Sequence, residues 1–329
     1  MSDLTETIDL EAEIEDFSSL EESSQCFVVP EIYHGKRLDQ ILALFLPEYS
    51  RSRLQQWNEQ QRVLVNQKFV PSKQKLYGGE VITVTLLPEP EETAFSPEAI
   101  PLNIIYEDES ILVINKPAGL VTHPGSGNWS GTLLNGLLHY ASQLAHVPRA
   151  GIVHRLDKET SGLMVVAKTI EAQTDLVRQL QARTVSREYF AFVIGTLTQA
   201  GIIAEPIGRH PTQRVKMAVV SSGKPAITHY QIVKNFMQQN ITWVKCRLET
   251  GRTHQIRVHM THLGFPLIGD PVYFLRQHKK IVPDFSRQAL HATRLALVHP
   301  HTKLQMQWEC SLPEDMQILL ALLEKQEQD

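Results

Sequence analysis

Long apolar runs are missing from this sequence. The longest purely apolar stretches are as short as Ile41–Leu46, far from the ~20 residues that a membrane span needs. Cysteine is scarce. Cys26, Cys246 and Cys310 are far apart and form no CxxC pair, which argues against a zinc knuckle or a disulfide framework and for reduced thiols. No GxxxxGK[ST] occurs, and the glycine-rich GSGNWSG at Gly125–Gly131 is not a GxGxxG opening a helix. No nucleotide cofactor is expected, and that loop reads as one that approaches a ligand backbone. No basic segment followed by an apolar one opens the chain, so a cytoplasmic location is expected. Basic residues are absent from the first 25 positions. Nine of the 36 acidic residues and none of the 32 Lys and Arg lie there. The rest carries 32 basic against 27 acidic residues, a mildly basic body compatible with a polyanionic partner.

The 329 residues suffice for a substantial core and two or more domains. Residues 1–28 read as an acidic, disordered tail. Residues 30–87 form a compact unit. LDQILALFL has helical spacing, SRSRLQQWNEQQ opens with Ser50 as N-cap, RVLVNQKFV turns at Asn66–Gln67, and GGEVITVTL closes with a β-branched strand. Arg51, Arg53, Arg62 and Lys68 fall on or near the second helix and the following turn. A positive helix N-terminus with side-chain cations suits phosphate. Residues 88–101 lie in LPEPEETAFSPEAIP, whose four prolines and four glutamates read as a linker. From 102 to 329 the strands ESILVINKP, LMVVAK, YFAFVIG, THYQIV, ITWVKCRLE, RLALVHP and LQMQWEC mix with helices at Leu133–Ala141, Ile170–Arg183, Thr253–Leu263 and Asp315–Gln326. Regular βα alternation is missing, so the expected class is α+β with a mixed, largely antiparallel sheet.

GIVHRLDKETSG, Gly151–Gly162, sets Asp157 among Arg155, Lys158 and hydroxyls just before a buried strand. His154, Asp157 and Ser161 do not make a Ser-His-Asp triad, because neighbouring positions rarely supply all three roles and no GxSxG elbow exists. Asp157 and Glu159 would point apart, which disfavours a glycosidase pair. His254, His259 and His262 match no zinc spacing, and no metal is expected. In a helix, His259 and His262 share a face with Gln255. What remains is one carboxylate beside cations, which stays ionised and can act as nucleophile or base.

HRLDKETSG resembles the HRLDxxTSG signature of the RluA-type pseudouridine synthases. INKPAGLVTHPG, REYFAFVIG, LETGRTHQIRVHMTHLGFPLIGDPVY and LHATRLALVHP resemble that family's other blocks, in family order, and residues 35–86 resemble the S4 RNA-binding module that many members carry. The resemblance spans about residues 30 to 320 and implies an RNA uridine isomerase with no redox cofactor, metal or other small-molecule cofactor. It implies that Asp157 is the essential carboxylate, that Tyr189 stacks on the target base, and that Arg257 pairs with the aspartate. Arg155 would contact RNA near the vacated base position, with His154, Arg252 and His254 beside the RNA. Lys116, Gly119, Thr160, Ser161, Gly162 and Gly251 would shape the cleft, the last two glycines by allowing tight turns. The expected partner is large-subunit (23S) ribosomal RNA or a pre-ribosomal particle, at the helix 69 stem-loop, and the expected state is a monomer. A transfer-RNA or other ribosomal target, or a catalytically silent ribosome-assembly factor, are the alternatives.

Overall fold

The computed structural model describes residues 24–85, 94–125, 128–213, 216–274 and 285–327. The chain divides into two compact units, Met1–Glu89 and Pro90–Asp329. Among the described residues, no helix is long and apolar enough to cross a membrane.

Among the described residues, the first unit is a three-stranded antiparallel sheet with two α-helices. β1 (Ser24–Val28) and β2 (Val63–Val65) flank β3 (Val81–Thr85). α1 (Leu38–Phe45) and α2 (Arg51–Glu59) bury Leu38, Ile41, Leu42, Leu54 and Trp57 with Val63 and Ile82 in one core. Ser50 caps α2, its Oγ accepting from the Arg53 amide at 3.3 Å. Asn66 and Gln67 both take positive φ, at 48° and 63°, as a tight two-residue hairpin turn demands. Arg51 and Lys68 are exposed, while Arg53 and Arg62 are partly buried, and the Arg53 guanidinium lies 5.4 Å from the Trp57 ring centre.

The tail expected over residues 1–28 is corrected at its end. Ser24–Val28 pairs with Val81–Thr85 in full register, because edge pairing satisfies the backbone of a segment whose side chains are mostly exposed. Residues 1–23 lie outside the described residues. The linker is corrected too. Residues 86–93 lie outside the described set, but residues 94–101 are part of the second unit. Asn135 Nδ2 donates to the carbonyls of Ala94 and Ser96 at 3.1 and 2.8 Å, and the Gly131 amide donates to the Glu98 carboxylate at 3.0 Å. Proline and glutamate content marks irregular backbone; it does not separate a free linker from a strap fixed by hydrogen bonds.

In the second unit, β4 (Ile104–Glu107), β5 (Ile111–Lys116), β6 (Ser161–Ala167), β7 (Ser186–Ile194), β8 (Gly201–Ile203), β11 (Thr228–Phe236), β12 (Ile241–Leu248), β13 (Leu290–Val298) and β14 (Gln305–Glu309) form one sheet. Its order is β4-β5-β6-β13-β7-β12-β11-β8, with β14 also on β13. A separate ribbon pairs β9 (Ile207–Arg209) with β10 (Met217–Val219). The β6–β13 pair is parallel and the others are antiparallel. The sheet is therefore mixed and largely antiparallel, an α+β architecture as expected. α3 (Leu133–Tyr140) and α5 (Gln255–His262) supply apolar side chains to the core on one face. α4 (Ile170–Gln181) covers Ile111, Val113, Leu163 and Val165, and α6 (Glu314–Gln326) covers Phe192 and Phe236. The sequence reading missed β4, β8, β9 and β10, which are only three or four residues long.

Asp108 closes the turn between β4 and β5. Its carboxylate accepts from the amides of Ser110 and Ile111 at 2.7 and 2.8 Å and from Tyr106 Oη at 2.7 Å, and it meets His299 Nε2 at 2.7 Å. Burial works to raise its pKa, but these hydrogen bonds outweigh it and hold the pKa at about 2. A lowered folded-state pKa adds stability that is fully present above the unfolded carboxylate range and is lost as pH falls toward about 2. Asp108→Asn is expected to cost about 2 kcal/mol near pH 7 and to narrow its gap to wild type in acid. Urea midpoints between pH 6 and 2.5 read this; a gap that stays constant would refute it.

Candidate active site

The loop before β6 carries Asp157, and remote residues clamp it carbonyl by carbonyl. Thr122 Oγ1 donates to the Leu156 carbonyl at 2.8 Å, and the Thr160 amide closes a turn on the Asp157 carbonyl at 3.0 Å. The Lys158 carbonyl accepts from the Gly119 amide at 2.9 Å and from Lys116 Nζ at 3.1 Å. Arg287 Nη1 donates to the Glu159 carbonyl at 3.0 Å. Lys116 is 1% exposed and also donates to the Pro117 and Leu120 carbonyls. Burial lowers its pKa to about 7 against the raising charges of Asp157 and Glu159. The Thr160 hydroxyl accepts from Gln288 Nε2, and Ser161 Oγ meets His291 Nδ1 at 2.9 Å. With its backbone fixed at every step, the loop presents the Asp157 side chain in one direction.

Gly162 serves a close strand approach rather than the expected tight turn. It lies within β6 at φ 119°, and a Cβ there would stand 2.3 Å from the Ala292 carbonyl oxygen across the parallel β6–β13 pair.

α5 brings the other half of the site. Gln255 anchors its first turn: Oε1 accepts from Thr250 Oγ1 and the Arg252 amide, and Nε2 donates to the Ile227 carbonyl and Thr228 Oγ1. One turn on, His259 meets the same Thr228 hydroxyl at 2.9 Å and the Glu205 carbonyl at 2.9 Å, so it is a packing residue on the Gln255 face. His262 is exposed. Arg257 projects from the opposite flank. Its Nη1 lies 2.9 Å from Asp157 Oδ2, while Nε and Nη2 grip Asp270 at 2.7 and 2.9 Å. Burial opposes the arginine's charge, but the hydrogen bonds and charge of Asp270, then of Asp157, outweigh it and raise its pKa. The Arg257 side chain is 4% exposed, that of Asp270 0% and that of Asp157 16%. Asp270 is thus the anchor, and Asp157 is the carboxylate that reaches the cavity.

That cavity, of about 650 Å³, is lined by Asp157, Tyr189 and Arg257 together. Among the described residues Asp157 is the one acidic side chain in the lining, against five arginines: Arg149, Arg155, Arg187, Arg252 and Arg257. Such walls attract an anionic polymer and aim it at a single carboxylate. Tyr189 is 5% exposed, and burial raises the pKa of its phenol. Arg155 is exposed at the rim, and Arg252 Nε donates to the Pro225 carbonyl at 3.1 Å. His154 also lines the cavity, but its Nε2 accepts from the Val165 amide at 3.1 Å, so its proton sits on Nδ1. Burial, then the charge of Arg187, lowers its pKa to about 3. His254 lines the cavity beside Asp157. Arg51, Arg53, Arg62 and Lys68 belong to the first unit.

The sequence reading missed Asp270, Arg187, Tyr273 and the Thr122, Arg287 and Gln288 clamps. In sequence Asp270 shows only that it follows a glycine; in the structure Gly269 takes φ 70° with no room for a Cβ, which would stand 2.1 Å from the Arg287 carbonyl oxygen. Among the described residues no group of three His, Cys, Asp or Glu could hold a metal ion.

The RNA pseudouridylate synthase family matches residues 110–262, which contain Asp157, Tyr189 and Arg257. Ribosomal large subunit pseudouridine synthase D of Nitrosomonas europaea is 54% identical over 299 residues, 90% of this chain and 86% of its own. The protein of the same name from Escherichia coli O157:H7 is 54% identical over 88% of this chain and 91% of its own. The chain belongs to the RNA pseudouridylate synthase family. The solved structure of human RNA Pseudouridylate Synthase Domain Containing 4 is 25% identical, covers 68% of the synthase and 93% of its own chain, and superposes with a TM-score of 0.53. The synthase therefore shares its fold with a solved member of that family, and its cavity is lined by a carboxylate from a loop, an aromatic ring from the sheet and a buried arginine from a helix.

Proposed function

We propose that this synthase converts specific uridines of large-subunit ribosomal RNA to pseudouridine, and that its targets lie in the helix 69 stem-loop. The observation that carries the reading is an arginine-lined cavity in which Asp157 is the one carboxylate among the described residues, with Tyr189 in the same lining. The identity to proteins named ribosomal large subunit pseudouridine synthase D supports the choice of RNA.

The reaction breaks the bond between ribose C1′ and uracil N1, rotates the base and joins C1′ to C5. The proton leaves C5 and N1 gains one, so no external oxidant or reductant is consumed. Asp157 is the essential carboxylate, and Arg257 holds it by a charge-assisted hydrogen bond. Uridine must leave its stack to reach the cavity, which costs a few kcal/mol. Tyr189 offers the flipped uracil an aromatic plane. Arg155, exposed at the rim, takes the space the base leaves, where a planar cation can stack. Arg149 and Arg252 line the path of the backbone.

The first unit is an S4-like RNA-binding domain. Arg51, Arg53, Arg62 and Lys68 contact phosphate, which makes binding fall steeply with salt. The enzyme acts as a monomer in the cytoplasm.

Mapping pseudouridine across total RNA from a strain lacking the gene tests the substrate. Pseudouridine is expected to vanish from the helix 69 loop of 23S RNA and to persist elsewhere. Loss confined to a transfer-RNA arm would replace the ribosomal assignment with the alternative.

A further inference from the structure

His254 has a geometry that an RNA-surface residue does not need. It precedes α5 in the left-handed region, at φ 57° and ψ 24°, a conformation uncommon for residues other than glycine. That turn places the ring in the cavity wall with its side chain 21% exposed, edge-on to Tyr273 at 5.5 Å and 76°. Tyr273 is 7% exposed, and its hydroxyl accepts from the Met217 amide at 2.8 Å and meets His254 Nδ1 at 2.8 Å. The hydroxyl proton therefore goes to Nδ1, and the ring proton sits on Nε2. Nε2 faces Asp157 Oδ1 at 3.9 Å. Arg257 already holds the other oxygen, Oδ2. The charged groups around the ring are Asp157, Arg257, Asp270 and Arg155. Burial, with Arg257 and Arg155, outweighs the two carboxylates and keeps the imidazole neutral near pH 7.

We propose that His254 is a positioning residue for Asp157: Tyr273 fixes its tautomer, and its Nε2–H closes on Oδ1 when RNA binds, so that Arg257 and His254 orient the carboxylate from both sides. Hydrogen bonds in active sites without substrate are often long and tighten in the complex. The inference rests on the isomerase reading of this cavity.

The test uses three variants of the full chain. The amide nitrogen of Gln can reach the place of Nε2, whereas that of Asn reaches only the place of Nδ1. Asn suits a left-handed backbone better than Gln. Backbone strain and function therefore pull in opposite directions. Single-turnover conversion is measured with enzyme in excess over bulk RNA from the deletion strain, which contains every native target. The half-saturating enzyme concentration and the melting temperature are read alongside. At saturation His254→Asn is expected to slow the reaction between about 10- and 100-fold, with the half-saturating concentration within about twofold of wild type. His254→Gln recovers most of that loss although its backbone is more strained. Tyr273→Phe slows the reaction several-fold without weakening RNA binding. Weaker binding with an unchanged saturating rate would make His254 an RNA contact and overturn the proposal. Equal rates for the Asn and Gln variants would overturn it as well. If both His254 variants melt early, Tyr273→Phe decides, and an unchanged saturating rate sinks the idea. Failure of the wild type to convert this RNA counts against the isomerase reading itself, a different outcome from any of these.

Discussion

Asp157→Asn is expected to abolish isomerisation while leaving the protein folded. The substitution keeps the shape of the side chain and removes its charge. Arg257 Nη1 can still donate to an amide oxygen, and the Asp270 pair on Nε and Nη2 is untouched. The loop itself does not depend on the carboxylate, because Thr122, Gly119, Lys116 and Arg287 hold its carbonyls. Stability should stay within about 1 kcal/mol of wild type. The rate should fall by roughly a thousandfold or more, the loss expected if the proposed role of Asp157 in the chemistry holds, because no other acidic side chain among the described residues lines the cavity. Single-turnover assays read the rate and thermal melts read the fold. A variant that keeps a tenth of the wild-type rate would remove Asp157 from the chemistry.

Arg257→Met is expected to damage both activity and stability. It leaves Asp270, whose side chain is 0% exposed, without the guanidinium that grips both its oxygens. Removing one partner of a buried pair strands the other charge, at a cost of about 3–5 kcal/mol. Asp270 keeps hydrogen bonds from the Val272 and Tyr273 amides, which blunts the loss without replacing the pair. Arg257→Lys should recover little, because a point charge cannot hold Asp270 at two oxygens and reach Asp157 as well. Replacing both members, Arg257→Met with Asp270→Leu, is expected to be less destabilising than the single change, because no buried charge is left over. The double variant should still be slow, since Asp157 has lost its cation. Denaturant melts of the single and double variants check the stability claim. A single variant as stable as wild type would refute the anchoring role of Asp270.

Residue type and spacing carried the second unit's larger elements. Short apolar runs mark the strands, and the spacing over Thr253–Leu263 predicts a helix, against Gln255–His262 in the structure. The difference at its start is physical. His254 takes a left-handed conformation, and Gln255 ties the first turn to the Thr250 hydroxyl and the Ile227 carbonyl, contacts that spacing cannot display. β13 has parallel β6 on one side, antiparallel β7 on the other and β14 along its second half. Such pairing depends on long-range register, which local pattern does not encode. At the site, the motif pointed to Asp157 and not to what holds it. Lys116 and Arg287 act through carbonyl oxygens 42 and 128 positions away from them in sequence, and a backbone acceptor leaves no mark on residue identity. Asp270 was hidden for the opposite reason. A buried carboxylate that exists to orient an arginine looks, in sequence, like any turn aspartate after glycine.

The most direct test of Asp157 as the centre of a uridine isomerase is complementation of the deletion strain at matched protein levels. The wild-type chain should restore pseudouridine in large-subunit RNA, and the Asp157→Asn chain should accumulate as folded protein while the same positions remain uridine. Restoration of pseudouridine by the Asp157→Asn chain would contradict the account.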